Sequence, residues 1–526
     1  MKTQRTSESA RKREESVHTS PYNQLALPKD IDNLSLFDTT LRDGEQTPGI
    51  ALSIDDKIRI AQALDDLGVD VIEVGFAASG EVEKETVKKI AVLKLGSRIC
   101  SLARCADKDI DAVVDCNLDY IHLFLATSDI HLKHKLKMTR EQVMDKAVKS
   151  VEYAKSHGLT VQFSCEDATR TELGFLKEMH IAVQDAGADV INVPDTVGVI
   201  TPPAMSYLIT ELGKVTKVPM AVHCHNDLGI AVSNSLAAIK AGAKMVHVCV
   251  NGLGERSGNA ALEEVAVNIF SNYSIEVIDL SKIASVSKMV SHITGYPIPY
   301  NKPIVGRNAF AHESGIHVHG ILNNSSTYEA FLPELVGMER QIMIGKHSGA
   351  HSVRDRLAGL KIRFPEELMP ELLDSIKSLA VGGKDIDDVE LTALAEHIQW
   401  RGKYEDIVKL HEFAVFTGKG VTPTATVTVE IDGVKNTVSE TGIGPVDAAL
   451  KAIRVAVNTN ISLEEYRLNA ITGGSDSLCE VTVIIKDVHD DGAFSVGKAM
   501  GMDIVGTSVD GMMEAINRDY IRRRNS

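Results

Sequence analysis

From Leu34 to about Asn251 the chain repeats one unit, a short apolar run followed by a longer stretch with apolar residues three to four apart. The short runs centre on Leu36, Ile72, Cys100, His122, Phe163, Asn192, Val222 and Val248 and read as strands buried on both faces. Between them, residues such as Ile54, Ile58, Ala61, Leu64 and Leu67 fall on one face of a helix. The junctions LGVDVIEV (67–74), AGADVINV (186–193) and AGAKMVHV (241–248) resemble one another. In each, a glycine ends a helix where a left-handed cap is wanted, and a buried strand follows. Eight such units predict an α/β fold, a (β/α)8 TIM barrel over 31–300, rather than an open sheet of five or six strands. No G-x-G-x-x-G opens a helix, so nothing points to a dinucleotide.

Outside the barrel the pattern changes. Residues 1–30 are rich in Ser, Lys, Arg and Glu, carry little to bury and lack the apolar stretch of a secretory signal, so a disordered tail is expected. Pro297, Pro299 and Pro303 mark a boundary near 300. The segment 301–405 carries helical stretches at 365–380 and 385–400 and is expected to be a helical linker, too small and broken to bury a large core alone. From 406 to 526, TATVTVEI (424–431) and residues 480–485 alternate as half-buried strands. VDAALKAI (446–453) and VDGMMEAI (509–516) form an internal repeat, each after a strand region. Two such copies predict a pseudo-symmetric α/β domain, serving either an effector or plain dimerisation.

Composition narrows the function classes. The 526 residues are 44% hydrophobic and 24% charged, ordinary for a globular chain, with 56 Lys plus Arg against 72 Asp plus Glu for a net charge of −16. An acidic chain without a basic stripe argues against nucleic acid. No apolar run reaches the length of about 20 residues that crosses a bilayer. Seven scattered cysteines without a C-x-x-C pair argue against a disulfide framework and for a reducing, cytoplasmic setting.

Polar residues gather where a barrel keeps its chemistry, at the C-terminal ends of its strands. The first strand runs into DTTLRDGEQ (38–46), the second carries Glu73, and the third ends at Arg104. The fourth carries His122 and leads to Thr127, the fifth ends in Glu166 and Asp167, and the sixth in Asp195 and Thr196. The eighth opens into NGLGERSGN (251–259). In the seventh, VHCHND, His223 and His225 stand two apart and share a strand face, so with Asp43 they could hold a divalent cation. After the fourth strand, HLKHKLKMTR (131–140) places four positive charges in ten residues, either a solvated helix face or a site for phosphate groups.

At DTTLRDGEQTPG, VHCHND, NGLGERSGNAALEE, FAHESGIHVHG and GKHSG the sequence resembles the metal-dependent DRE-TIM family. That family holds isopropylmalate, homocitrate and citramalate synthases, hydroxymethylglutaryl-CoA lyases and carboxylase transferase domains. The lyases' catalytic Cys in a Gly-rich loop has no match here, so the Claisen-condensing synthases fit better. The resemblance implies a divalent metal (Mn2+, Mg2+ or Zn2+) on Asp43, His223 and His225, with Asn259 as a ligand or close by. It implies that Arg42 polarises the oxo-acid carbonyl and that His122, Glu166 and Thr196 surround the oxo acid. His317 and Tyr328 would reach a neighbouring subunit's barrel in a homodimer, with Glu166 and His317 the candidates for the base. Acetyl-CoA would be the co-substrate, 3-methyl-2-oxobutanoate the oxo acid (pyruvate or 2-oxoglutarate as rivals), and leucine a feedback effector at the C-terminal domain. Residues near the third strand, Leu102 and Ala103, could line the pocket for the oxo-acid side chain.

Overall fold

A computed structural model describes residues 11–27, 31–313, 317, 320, 321, 323–345, 348–360, 362–380, 386, 388–400, 407–458, 461–470, 479–487 and 494–525. Residues 1–10 and 28–30 of the expected tail, most of SGIHVHG and His347 of GKHSG lie outside these. The chain divides into two compact units, residues 1–311 with 324–341, and 312–323 with 342–526.

In the first unit β1 (Ser35–Asp38), β2 (Val71–Glu73), β3 (Arg98–Arg104), β4 (Tyr120–Ala126), β5 (Thr160–Glu166), β6 (Val190–Asp195), β7 (Met220–Cys224) and β8 (Met245–Val248) close in chain order into a parallel barrel. β1 pairs with β8 in the register Leu36 to Val246 and Asp38 to Val248. All eight expected strand centres lie in these strands. The helix Ile54–Leu67 starts on a capping box, Ser53 with Asp56, and ends on Gly68 at φ 91°. Gly187 (φ 109°) and Gly242 (φ 115°) repeat that left-handed exit at the other two matching junctions.

Alternation along each strand sorts the side chains. Leu36, Ile72, Ala103, Ile121, Phe163, Ile191, Val222 and Val246 face the helices and are fully buried. Phe37, Val71, Cys100, Tyr120, Val190, Ala221 and Met245 form a separate apolar plug inside the barrel. Above that plug the inward positions turn polar, which is where a site can stand. Leu102 is in register with His122 on the inward side, whereas Ala103 pairs with Leu123 and faces out. Ala103 therefore does not line the barrel mouth, because successive strand residues point to opposite faces.

The expected tail is ordered where it is described. Val17 is 7% exposed and bridges to Phe331, Arg13 Nε donates to the Ser271 carbonyl at 2.6 Å, and Ser20 caps a helix at Pro21–Ala26. A few anchoring contacts suffice where composition alone favours disorder.

In the second unit each half of 407–525 is a three-stranded antiparallel sheet followed by a helix. The first half has Val408–Gly418, Val421–Ile431, Val434–Thr441 and the helix Pro445–Val457. The second has Ile461–Ala470, Cys479–Asp487, Phe494–Gly501 and the helix Ile504–Asn525. The two copies of the sequence repeat lie in the two helices. Val427 and Val429 of one middle strand, Val481 and Val483 of the other, and Ile453 and Met512 of the helices share one core. A Cβ on Gly497 would collide with the Gly511 carbonyl, so the second helix can lie close to its sheet only over glycine. The segment before these halves, expected to be too small and broken to bury a large core alone, holds a small one: Ile344, Val353, Leu357, Leu372, Ile376, Leu391 and Ile398. Its helices Met369–Ala380 and Asp388–Trp400 present apolar stripes that meet each other.

Candidate active site

The site begins with a turn. Asp38, at the end of β1, accepts the Thr40 N–H at 2.8 Å and the Thr40 hydroxyl at 3.0 Å. Full burial pushes its carboxyl up to about 7 against those bonds. The folded turn presents Arg42 and Asp43. Arg42 donates from Nε to Glu73 and from Nη1 to Asp43, each at 2.6 Å. Burial opposes the guanidinium charge, but the two carboxylates outweigh it and hold it above its ordinary range. Burial likewise works to raise Glu73, and Arg42 with His122 overcomes it, so Glu73 stays low.

His223 on β7 and His225 just past its end reach the same point. Their Nε2 atoms are 3.2 Å apart and each lies 3.6 Å from Asp43 Oδ2. All three residues are buried, and their ligand atoms converge within 4.8 Å. Burial and the neighbouring His225 push His223 down to about 3, which keeps it neutral with a lone pair to give. Burial pushes Asp43 up, but Arg42 and the two histidines dominate and keep it an anion. His225 is oriented from behind, its Nδ1 2.6 Å from the Thr196 carbonyl.

Asn259 closes the group. Its amide donates to Asp43 Oδ1 and to the Leu253 carbonyl, each at 3.0 Å, while its buried Oδ1 has no partner. Gly254 (φ 154°) leaves this space open, since a Cβ there would collide with the Asn259 amide and crowd Asp43. Two imidazoles, a carboxylate and an unsatisfied amide oxygen suit a divalent cation. These residues fit one.

The other expected residues divide. His122 is buried beside the group, its Nδ1 2.6 Å from Glu73 and its Nε2 2.6 Å from the Ser164 hydroxyl. Glu166, at the end of β5, pairs with Lys135 at 2.5 Å. Thr196 contributes its carbonyl to His225 and its Oγ1 to the Asp167 N–H at 2.9 Å. Of the basic run 131–140, Lys135 is taken by Glu166 and Arg140 by Asp129 and Glu172. Tyr328 belongs to the barrel unit and is 46% exposed; His317 is exposed and belongs to the second unit. Sequence reasoning passed over Ser164 and His247, and gave Glu73 no role. The signal for the first two was a polar residue at an inward position of an otherwise apolar strand, in TVQFSCE and MVHV.

Comparison with known proteins places this geometry. Residues 33–290 match the HMGL-like family, 304–384 the homocitrate synthase post-HMGL domain-like family, and 385–520 the LeuA allosteric (dimerisation) domain. A 2-isopropylmalate synthase of Methanocaldococcus jannaschii is 49% identical over 94% of this chain and 96% of its own length. A probable 2-isopropylmalate synthase of Methanopyrus kandleri is 48% identical over 94% of this chain and 100% of its own length. An (R)-citramalate synthase of Methanocaldococcus jannaschii is 44% identical over 92% and 98%. Among the described residues, no helix is long and apolar enough to cross a membrane.

Proposed function

The chain belongs to the family of 2-isopropylmalate and citramalate synthases, and we propose that it condenses acetyl-CoA with 3-methyl-2-oxobutanoate and water to 2-isopropylmalate and CoA. The observation that carries this is the convergence of Asp43, His223 and His225 at the barrel mouth with Arg42 fixed against them. The choice of oxo acid is supported by two relatives named as established or probable 2-isopropylmalate synthases at 48–49% identity; three more named as probable 2-isopropylmalate synthases, at 43–45%, fall in the same range as three named as established or putative citramalate synthases.

Asp43, His223 and His225, with Asn259 beside them, would hold a divalent cation, which when bound supplies Lewis-acid polarisation of the oxo-acid carbonyl. Arg42 adds a fixed positive charge where negative charge grows on the former carbonyl oxygen, and its two carboxylate partners hold it in place for that. Glu73 aligns His122, and the pair bounds the oxo acid beneath its carbonyl. Leu102, on the inward side of β3, forms apolar wall for the oxo-acid side chain. One or two methyl groups there are worth about 1–3 kcal/mol of discrimination, the range in which pyruvate and 3-methyl-2-oxobutanoate compete. The methyl proton of acetyl-CoA goes to a carboxylate or an imidazole, Glu166 or His317. We read His317 and Tyr328 as completing the barrel of the second subunit of a homodimer, and the repeated halves of 407–525 as the sensor for leucine.

Thiol release measured with pyruvate, 2-oxobutanoate, 3-methyl-2-oxobutanoate and 2-oxoglutarate tests the substrate. The highest kcat/KM is expected with 3-methyl-2-oxobutanoate, and a preference for pyruvate would assign citramalate synthesis instead. Calorimetry with leucine on the full chain tests the sensor, and no heat would leave a dimerisation domain.

A further inference from the structure

His247, on β8, is 1% exposed, lies inside the barrel beneath the cation site and takes part in none of the steps above. Its ring is clamped. Phe37 stacks on it with centroids 4.1 Å apart and planes at 10°, and His122 meets it edge-on at 5.4 Å. Its Nδ1 is 3.3 Å from Nδ1 of His223, and its Nε2 is 2.8 Å from Nε2 of Gln162. Gln162 Oε1 in turn accepts the Tyr120 hydroxyl at 3.1 Å.

Hydrogen counting gives this line a direction. Gln162 presents its N–H to His247 Nε2, so the proton of His247 sits on Nδ1 and is donated to His223 Nδ1. The proton of His223 then sits on Nε2, 3.2 Å from His225 Nε2, and His225 donates from Nδ1 to the Thr196 carbonyl. Every ring nitrogen is used once. In this arrangement, however, His223 carries a hydrogen on the nitrogen that a cation would need bare.

We propose that His247 is the positioning residue that sets the tautomer of His223. When a divalent cation takes Nε2 of His223, the line reverses. His223 donates from Nδ1 to His247 Nδ1, and His247 donates from Nε2 to Gln162, whose amide turns to offer its oxygen. Each imidazole keeps one proton: that of His223 moves from Nε2 to Nδ1, and that of His247 from Nδ1 to Nε2. The turned amide then donates to the Tyr120 oxygen. A ligand histidine whose other nitrogen loses its acceptor typically binds metal 10–100-fold more weakly, by the general behaviour of such partners. The inference rests on the reading that Asp43, His223 and His225 hold a cation.

Zn2+ affinity, measured by chelator competition on the full chain, tests it. His247→Leu should weaken binding by roughly 10–100-fold, and His247→Asn, which can offer an oxygen in place of Nδ1, should restore most of it. In a His223→Ala background His247→Leu should change nothing further. A folded His247→Leu protein that binds like the wild type overturns the proposal, as does an equal loss in the His223→Ala background. Wild-type protein that binds no Zn2+ removes the cation reading itself. In the unaltered protein, 15N-labelled imidazoles read the tautomers directly. Zn2+ should move the protonated nitrogen of His247 from Nδ1 to Nε2, and binding without that move overturns the proposal whether or not the Leu variant folds.

Discussion

Glu73→Gln removes one charge and almost no volume from beneath the site. The two oxygens of Glu73 accept from Arg42 Nε and from His122, each at 2.6 Å, in a fully buried setting. Glutamine has one oxygen and one NH2, so one of these donors must face another donor. Arg42 cannot give up its proton. The oxygen therefore turns to Arg42 and the NH2 to His122, whose proton moves to Nε2 against Ser164. Ser164 already accepts from Asn192 at 2.7 Å, so the strain passes along the layer. A hydrogen bond to a charged group contributes about 1.5–3 kcal/mol. Asp43 still neutralises Arg42 at 2.6 Å, so the loss of about 3–5 kcal/mol seen for an orphaned buried ion does not apply. The expected outcome is a folded protein about 2 kcal/mol less stable to urea. Its kcat/KM for the oxo acid should fall roughly 10–100-fold, since each 1.4 kcal/mol is about tenfold in rate. Urea denaturation followed by circular dichroism, with thiol-release kinetics, reads both. A variant within twofold of wild type in kcat/KM and with the same denaturation midpoint refutes the reasoning.

Other perturbations reach separate parts of the account. His225→Ala should abolish turnover and lower Zn2+ affinity at least 100-fold, read by chelator competition, because it removes a direct ligand. Lys57→Met should destabilise by about 2–4 kcal/mol in urea, since the buried ammonium sits between Glu45 at 2.6 Å and Glu83 at 2.8 Å and its loss leaves two carboxylates facing each other. His180, pushed by burial from 6.5 down to about 3, stays neutral in the folded state while the unfolded chain takes a proton below 6.5. Its contribution is full above pH 6.5 and lost as pH falls toward 3, about 2 kcal/mol between pH 7 and 5, and His180→Asn should remove that slope from urea midpoints. Mixing inactive Asp43→Asn and His317→Ala proteins with subunit exchange should restore some turnover. None in verified heterodimers would place His317 outside a shared site.

The barrel was legible because its two periods, a short apolar run and a three-to-four-residue stripe, alternate eight times, and because glycines end helices at matching junctions. The candidate ligands were legible for a similar reason, since two histidines two positions apart on extended chain share a face. The polar layer beneath them was harder to see. Parallel strands buried on both sides read as uniformly apolar, and a lone Gln162 or His247 within them looks like noise until register puts Gln162, Ser164, His223 and His247 on one side. Ala103 shows the same rule in reverse, because only knowing which residue of β3 faces in separates it from Leu102. The arm was under-read because composition averages over the few residues, such as Val17, that do the anchoring.

The most direct test strips the purified protein with chelator, restores one equivalent of a divalent metal, and supplies acetyl-CoA with 3-methyl-2-oxobutanoate. Products are then identified by liquid chromatography and mass spectrometry. The account predicts 2-isopropylmalate and free CoA in equal amounts, formed after metal is restored and not before. Product of the same kind and rate from the stripped protein, or acetyl-CoA left intact after reloading, would contradict it.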